Sequence, residues 1–218
     1  MAKVHPNAAA VAPEPSRAPP QDQEPAAVLT VWRKSLLFNC DGFTVFDAKG
    51  NLAFRVDCYA SGRRRAEVVL MDAAGKPLLT VRRKRLSSLF AEHWVIYDGD
   101  ADADAAAAGK AKPLLSVRRH ASLRASSKTL AHVTPLTSAG EAFVVDGSYG
   151  RRACAVRDAR GDAVAEVRRK ESPVGDDVFR LVAADPRRLG APLAMGLVIA
   201  LDEMFRGGAS LLRRTGSA

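Results

Sequence analysis

The chain has 218 residues and lacks several features that would assign it to a specialised class. It has no apolar run of about 18 residues or more, so we expect no membrane-spanning helix. Its three Cys residues (Cys40, Cys58 and Cys154) are odd in number and widely spaced, which excludes a disulfide framework and a zinc site. Acidic residues are also scarce, with 24 against 33 basic ones, and the net charge is +9. Because the chain is too apolar to be wholly disordered, we expect much of this charge to lie on the surface of a folded domain.

Both ends of the chain lack the large apolar residues that a core needs. Residues 1–27 hold half of the twelve Pro residues, and residues 207–218 are rich in Gly, Ser and Arg. We therefore predict a disordered arm over 1–27, one folded domain over 28–206 and a flexible tail over 207–218. The arm has no apolar stretch typical of a secretory leader, and Ala2 replaces the glycine that N-myristoylation requires. We expect a cytoplasmic or nuclear protein with reduced thiols.

Short apolar runs separated by turn residues fill the middle of the chain and predict twelve β-strands. Three turns share the spelling Asp-x-x-Gly, beginning at Asp47, Asp72 and Asp158, which is typical of hairpins. A run rich in Ala and Asp at 98–109 predicts a mobile hairpin loop. The strands are expected near residues 29–38, 42–47, 51–58, 65–71, 77–83, 91–97, 113–119, 128–134, 141–146, 150–157, 162–169 and 177–183.

An internal repeat links three of these strands. KPLLTVRR at 76–83 and KPLLSVRR at 112–119 match at seven of eight positions, and DAVAEVRR at 162–169 is a looser copy. Side chains alternate between the two faces of a strand. Leu79 and Val81, with their counterparts in the other copies, should therefore face the core, while Arg82, Arg118 and Arg168 should face outward.

A helix is predicted at 189–201, where thirteen residues carry no charge and apolar side chains surround the helix axis. Such a helix must be buried on all sides, and at about 1.5 Å per residue it is too short to cross a bilayer. We therefore predict a closed, twelve-stranded antiparallel β-barrel around a central, hydrophobic C-terminal α-helix. Closure removes the exposed sheet edges, and the helix fills the lumen.

Several segments, taken in order, resemble the plant LURP-one-related family. They are VWRKSLLF at 31–38, DGFTVFD at 41–47, FRVD at 54–57, VLMD at 69–72, GKPLLTVRRK at 75–84, GSY at 147–149, AEVRRKE at 165–171 and DEM at 202–204. Cys58 departs from the pattern, in which Asn is expected before Tyr59, and the Asp and Ala loop is longer than usual. The resemblance implies a fold like the tubby C-terminal domain and the phospholipid scramblases. It also implies a link to plant defence, and by fold analogy a binding surface for phosphoinositides.

Arginine-rich clusters are the candidate phosphate-binding sites. They occur at 63–65, 82–85, 118–120, 151–152 and 168–170. Arg can bind phosphate with two parallel hydrogen bonds, and matched strands can bring matched Arg residues to one end of a barrel. The alternative is that these charges are solvated strand ends that protect sheet edges. The residues that we expect to bind anionic lipid head groups are Arg82, Arg83, Lys84, Arg85, Arg118, Arg119, Arg168, Arg169 and Lys170.

Two other classes of partner stay open at this point. Nucleic acid fits the sequence pI near 9.9, but no DNA-binding motif is present and the aromatic residues are not interleaved with the Arg clusters. A protein-interaction scaffold in stress signalling needs no lipid at all. Arg82–Arg85 also matches a nuclear localisation signal. We expect a monomeric adaptor, peripheral at the inner face of the plasma membrane or nuclear.

Catalytic chemistry finds little support. His93, His120 and His132 lie on separate strands or strand ends without metal-ligand spacing, and Gly147–Gly150 lacks the ending of a phosphate-binding loop. We therefore expect no enzyme activity, no cofactor and no metal. Ser87 and Ser122 follow basic residues, as kinase targets do, and a phosphate there would weaken the attraction to a membrane.

Overall fold

The computed structural model describes residues 26–37, 41–58, 67–84, 92–101, 111–121, 128–138, 140–170 and 177–205. Residues 1–25 of the predicted arm, most of the Ala and Asp loop, the tail, the cluster at 63–65, Arg85, Ser87 and Ser122 lie outside these residues, while Ala27 of the predicted arm begins the first strand. The described chain forms twelve strands followed by one helix, α1 (Ala191–Phe205). The strands are β1 (Ala27–Trp32), β2 (Asp41–Phe46), β3 (Leu52–Cys58), β4 (Glu67–Asp72), β5 (Pro77–Lys84), β6 (His93–Asp98), β7 (Pro113–Arg119), β8 (Thr129–Pro135), β9 (Phe143–Ser148), β10 (Ala153–Arg157), β11 (Ala163–Arg169) and β12 (Val178–Ala183).

The strands close into one barrel in which every neighbouring pair is antiparallel. Strand order follows the sequence from β1 to β12, and β12 pairs with β1 to complete the ring, with Val31 opposite Phe179. The predicted closed, twelve-stranded antiparallel barrel around a C-terminal helix is confirmed. No helix in the described ranges is long and apolar enough to cross a bilayer.

Period-two alternation places the core as the repeat predicted. Leu79, Val81, Leu115 and Val117 are buried, as are Ala165 and Val167 of the looser copy. The opposite face carries Arg118 and Arg168, which are exposed, and Arg82, which is half-buried. The core residues of all strands surround α1, whose residues from Ala194 to Asp202 are buried. The helix packs tightly on β5 and β6 at Gly196, where a Cβ atom would lie 3.2 Å from Ile96 Cδ1 and 3.3 Å from Leu79 Cδ1.

Two predicted element ends were wrong by four residues or more. β1 ends at Trp32 and not at 38, because Lys34 N donates to Trp32 O at 2.9 Å and the backbone turns there. α1 continues to Phe205, four residues past the predicted apolar segment at 189–201. Asp202 stays within the helix because Arg33 Nε lies 3.3 Å from its Oδ1 atom.

The Asp-x-x-Gly turns confirm the predicted hairpin chemistry. Asp47 Oδ1 accepts hydrogen bonds from the backbone N–H groups of Lys49 and Asn51, both at 2.8 Å. Asp158 Oδ1 does the same for residues two and four positions ahead. Gly50 has a φ of +86°, a backbone conformation that side chains disfavour.

In this closed antiparallel barrel, successive connections between strands alternate between the two ends of the barrel. Odd-numbered strands all run in one direction, so their last residues lie at one rim with the first residues of the even-numbered strands. The three Asp-x-x-Gly turns follow β2, β4 and β10 and therefore lie at the opposite rim, which we call the hairpin rim. We call the other rim, where the odd-numbered strands end, the arginine rim.

Candidate functional site: the arginine rim

The arginine rim brings together the clusters that the repeat suggested. The cluster that starts at Arg82 ends β5, the cluster that starts at Arg118 ends β7 and the cluster that starts at Arg168 ends β11. All three are odd-numbered strands. The turn between β9 and β10, which holds Arg151 and Arg152, lies at the same rim, as do Arg33 and Lys34 after β1. The basic clusters that the structure describes are therefore gathered at one end of the molecule, although they are far apart in the sequence.

Some of these arginines are engaged in holding the barrel together. Arg82 Nε donates to Glu67 Oε2 at 3.0 Å, and its Nη2 atom binds both that carboxylate and Ala101 O. Ala101 N in turn donates to Thr80 Oγ1 at 3.0 Å, so the start of the Ala and Asp loop lies across β5. Arg82, a predicted ligand of phosphate, thus has a structural role that sequence reasoning did not foresee.

Arg119 joins the rim to the end of the central helix. Its Nη1 atom lies 3.0 Å from Glu92 Oε2 and donates to Met204 O at 3.4 Å, while its guanidinium lies over the Phe205 ring at 4.8 Å. Cations are favourable at a helix C-terminus because the carbonyl groups there carry partial negative charge. Arg83 Nη2 lies 3.8 Å from the same Glu92. These two arginines close the barrel over the helix end.

A buried polar cluster lies beneath Arg83 and Arg119. Asp202, only 3% exposed, lies near Arg33 Nε and accepts from Tyr149 Oη at 3.3 Å. Burial, followed by the nearby Asp202 charge, raises the pKa of Tyr149 well above its ordinary value. Arg152 is 6% exposed and lies 4.5 Å from the Tyr149 ring and 4.3 Å from the Phe179 ring. The cluster fixes the helix end to the rim.

The remaining cations of the rim face solvent. Arg168 is exposed and pairs with Glu166 on its own strand, Arg169 is exposed, and Lys170 is half-buried. No ion pair within the described ranges involves four other cations of the rim, all of them exposed: Lys84, Arg118, Lys128 and Arg151. Of the acids at the rim, Glu67 pairs with Arg82 and Glu92 with Arg83 and Arg119. The four exposed cations therefore present positive charge outward at the rim.

An open groove of about 530 Å³ lies below the rim on the outside of the barrel, between β8 and β11. Its floor holds the small residues Gly147, Ala153 and Ala155. Lys128 and Arg168 line it, but so do Asp146 and Glu166. Because the groove carries both signs of charge, it suits a polyphosphate less well than the crest of the rim does.

His93 and Cys154 are buried in the barrel. His93 Nε2 lies 2.7 Å from Ser116 Oγ, but both side chains are buried. Burial, followed by the charges of Arg118 and Lys84, lowers the pKa of His93. Burial also raises the pKa of Cys154 to about 12, which keeps the thiol protonated at neutral pH. The described residues contain no group of three or more side chains placed to hold a metal ion.

The structure thus defines a class of protein: a helix-filled, twelve-stranded barrel with a basic rim, the class that the resemblance implied. The family model described as LURP-one-related matches residues 27–202. The chain is 41% identical over 216 residues to protein LURP-one-related 8 of Arabidopsis thaliana, covering 94% of this chain and 99% of that protein. It is 42% identical over 185 residues to protein LURP-one-related 5 of the same plant, covering 81% and 82%. The chain belongs to the LURP-one-related family.

A solved structure supports the fold independently. The X-ray structure of an Arabidopsis thaliana protein superposes with a TM-score of 0.57, at 22% sequence identity, covering 84% of this chain and 93% of that one. At this identity the likeness concerns the fold alone.

Proposed function

We propose that this protein is a non-enzymatic adaptor that binds anionic membranes, phosphoinositides above all, through its arginine rim. The observation that carries the proposal is the convergence of the basic strand ends. Arg118 and Lys84, from two copies of the repeat, are exposed at the same rim as Arg151. Several multivalent head groups in one leaflet can meet such a rim together.

The magnitude of the attraction is adequate for peripheral binding. Each Lys or Arg close to an anionic leaflet contributes about 1 kcal/mol at physiological ionic strength. A few exposed cations acting together therefore hold a protein of this size at the surface, and added salt weakens the attraction. The proposed location is the cytoplasmic face of the plasma membrane. Participation in plant defence or stress signalling is part of the same proposal, since the family resemblance implies it.

Vesicle sedimentation tests the proposal. The full chain is mixed with neutral phosphatidylcholine vesicles and with vesicles that also contain phosphatidylinositol bisphosphate, at low and at high salt. We expect sedimentation with the second kind alone, and its loss at high salt. Equal binding to both kinds of vesicle would refute the proposal.

Nucleic acid is the competing partner for a basic rim. A gel shift with arbitrary duplex DNA, at the same salt concentrations, separates the two. Tight retardation of DNA without vesicle binding would favour the nuclear alternative, and failure of both assays would favour a scaffold that binds proteins only.

A further inference from the structure

Two large apolar side chains are exposed at the arginine rim, and nothing described above uses them. Trp32, the last residue of β1, is 38% exposed, and Leu36 in the following loop is 54% exposed. The described chain exposes two other large apolar side chains: Val28 on β1 and Leu136, which follows β8 and so lies at the hairpin rim. These two exposed side chains, Trp32 and Leu36, lie four residues apart in the chain at the basic end of the barrel, and we call them the apolar patch.

The loop that carries Leu36 is held in place by hydrogen bonds. Thr44 Oγ1 donates to Lys34 O at 2.7 Å, which ties the loop to β2. Ser35 is buried, and its Oγ atom donates to Asp57 Oδ1 at 2.6 Å while accepting from the N–H group of Leu37 at 3.0 Å. Leu36 is therefore presented to solvent by a loop that Lys34 and Ser35 bond to the barrel, while Leu37 N donates to Ser35 Oγ.

The chemistry around the patch matches a lipid surface. Lys34 Nζ lies 5.6 Å from the centre of the Trp32 ring, and the Lys34 side chain is exposed. Tryptophan prefers the boundary between head groups and acyl chains, where its apolar rings and its N–H group are both satisfied. Basic residues beside it are attracted to anionic head groups. This complementarity of charge and apolarity favours a bilayer as the occupant over an apolar groove of another protein.

We propose that Trp32 and Leu36 form a hydrophobic anchor that enters the acyl boundary of an anionic bilayer when the arginine rim docks on it. The proposal rests on the proposed function and adds to it a contact that electrostatics alone does not require. It also fixes how the barrel sits, with the end of β1 at the membrane. The cations hold the head groups, and the two apolar side chains lengthen the time that the protein stays bound.

Tryptophan fluorescence tests the anchor directly. The chain has two Trp residues, and Trp94 is 2% exposed inside the barrel, so that its emission should not respond to vesicles. We expect vesicles containing phosphatidylinositol bisphosphate to shift the emission of Trp32 to shorter wavelength, and lipids brominated on their acyl chains to quench it. Trp32→Phe should abolish both changes while the vesicles still bind.

A matched pair of variants measures how much the anchor contributes to vesicle affinity. Leu36→Ser removes an exposed leucine at the arginine rim, and Leu136→Ser removes one of similar exposure at the hairpin rim. We expect Leu36→Ser to lower the vesicle partition coefficient about tenfold, and its combination with Trp32→Ala to lower it up to about a hundredfold. Leu136→Ser should leave it within about twofold. Circular dichroism and the emission of Trp94 verify that each variant is folded.

The outcomes separate the anchor from the function on which it rests. Vesicle binding without any change in Trp32 emission or quenching would overturn the anchor and leave the electrostatic proposal intact. Equal effects of Leu36→Ser and Leu136→Ser would overturn it as well, even if a spectral change occurs. Absence of binding to anionic vesicles would overturn both proposals. Fluorescence changes on addition of a protein partner but not of vesicles would assign the patch to a protein interface.

Discussion

The ion pair between Arg33 and Asp202 joins the loop after β1 to the end of the central helix, and its removal should destabilise the fold measurably. Asp202 is almost fully buried, so Arg33→Met removes the guanidinium beside a desolvated carboxylate. Breaking a buried pair in this way costs about 3–5 kcal/mol. Because the Arg33 side chain is 28% exposed, water compensates in part, and we expect a loss of about 2–3 kcal/mol.

The second half of a double-mutant cycle shows whether the loss comes from the uncompensated charge. Asp202→Asn keeps a hydrogen-bond acceptor for Tyr149 Oη and leaves Arg33 free to turn to water, so it should cost about 1 kcal/mol. In the double variant no charge is stranded, and we expect it to be about as stable as Asp202→Asn alone. The coupling energy then favours the pair by about 2 kcal/mol.

Urea unfolding followed by circular dichroism supplies the free energies. The midpoint should fall for Arg33→Met without a change in the slope, which reports the surface exposed on unfolding. An Arg33→Met variant as stable as the parent would refute the argument. Strict additivity of the two single changes would refute it too, since independent effects cannot arise from one ion pair.

Three further outcomes test the core, a buried histidine and a turn. Leu197→Ala should lower the free energy of unfolding by about 2–5 kcal/mol, because Leu197 on α1 is fully buried, and an unchanged urea midpoint would deny that the helix fills the barrel. Since folding lowers the pKa of His93 from 6.5, the unfolded chain binds its proton more readily. Stability should therefore be fully present above about pH 6.5 and decline below it, with the decline reduced in His93→Gln; identical pH profiles would contradict this. Gly147→Ala should cost about 2 kcal/mol or more, because φ is +112° and the new Cβ would lie 2.3 Å from Ala153 O. Gly150→Ala, with no atom within 4 Å of its Cβ, should cost under about 0.5 kcal/mol. If thermal melts showed the same loss of stability for both glycine variants, the argument from backbone strain at Gly147 would be wrong.

The strands were predictable because their signals are local. Leu79 and Val81 alternate with polar neighbours, and Asp47 stands three residues before a glycine, so that face and turn can be inferred within ten residues. The location of the basic clusters at one rim was also within reach, since the ends of odd-numbered strands must share a rim in a closed antiparallel barrel. The residues around Arg118 do not show at which rim it lies, but its position at the end of the seventh strand does.

The roles of individual arginines were not predictable, because they depend on contacts between distant parts of the chain. Arg82 binds Glu67 from the neighbouring strand and the carbonyl of Ala101 from a loop, whereas Arg118 has the same sequence context and is exposed. Arg33 was overlooked because its partner, Asp202, lies at the far end of the sequence. Only the packed helix shows that this arginine belongs to the rim.

The central claim is that the position of the charge at the arginine rim matters, beyond its total amount. Two variants that lose the same three positive charges test it. The first neutralises exposed cations at the arginine rim: Lys84→Gln, Arg118→Gln and Arg151→Gln. The second neutralises exposed cations in the three Asp-x-x-Gly turns of the hairpin rim: Lys49→Gln, Lys76→Gln and Arg160→Gln.

The measurement is the affinity of both variants for vesicles containing phosphatidylinositol bisphosphate, at one fixed ionic strength. At about 1 kcal/mol for each charge near the leaflet, the first variant should bind about a hundredfold more weakly than the parent. The second should stay within about threefold, because its lost charges lie at the far end of the barrel. Equal weakening of the two variants would show that net charge alone drives binding, and would contradict the account.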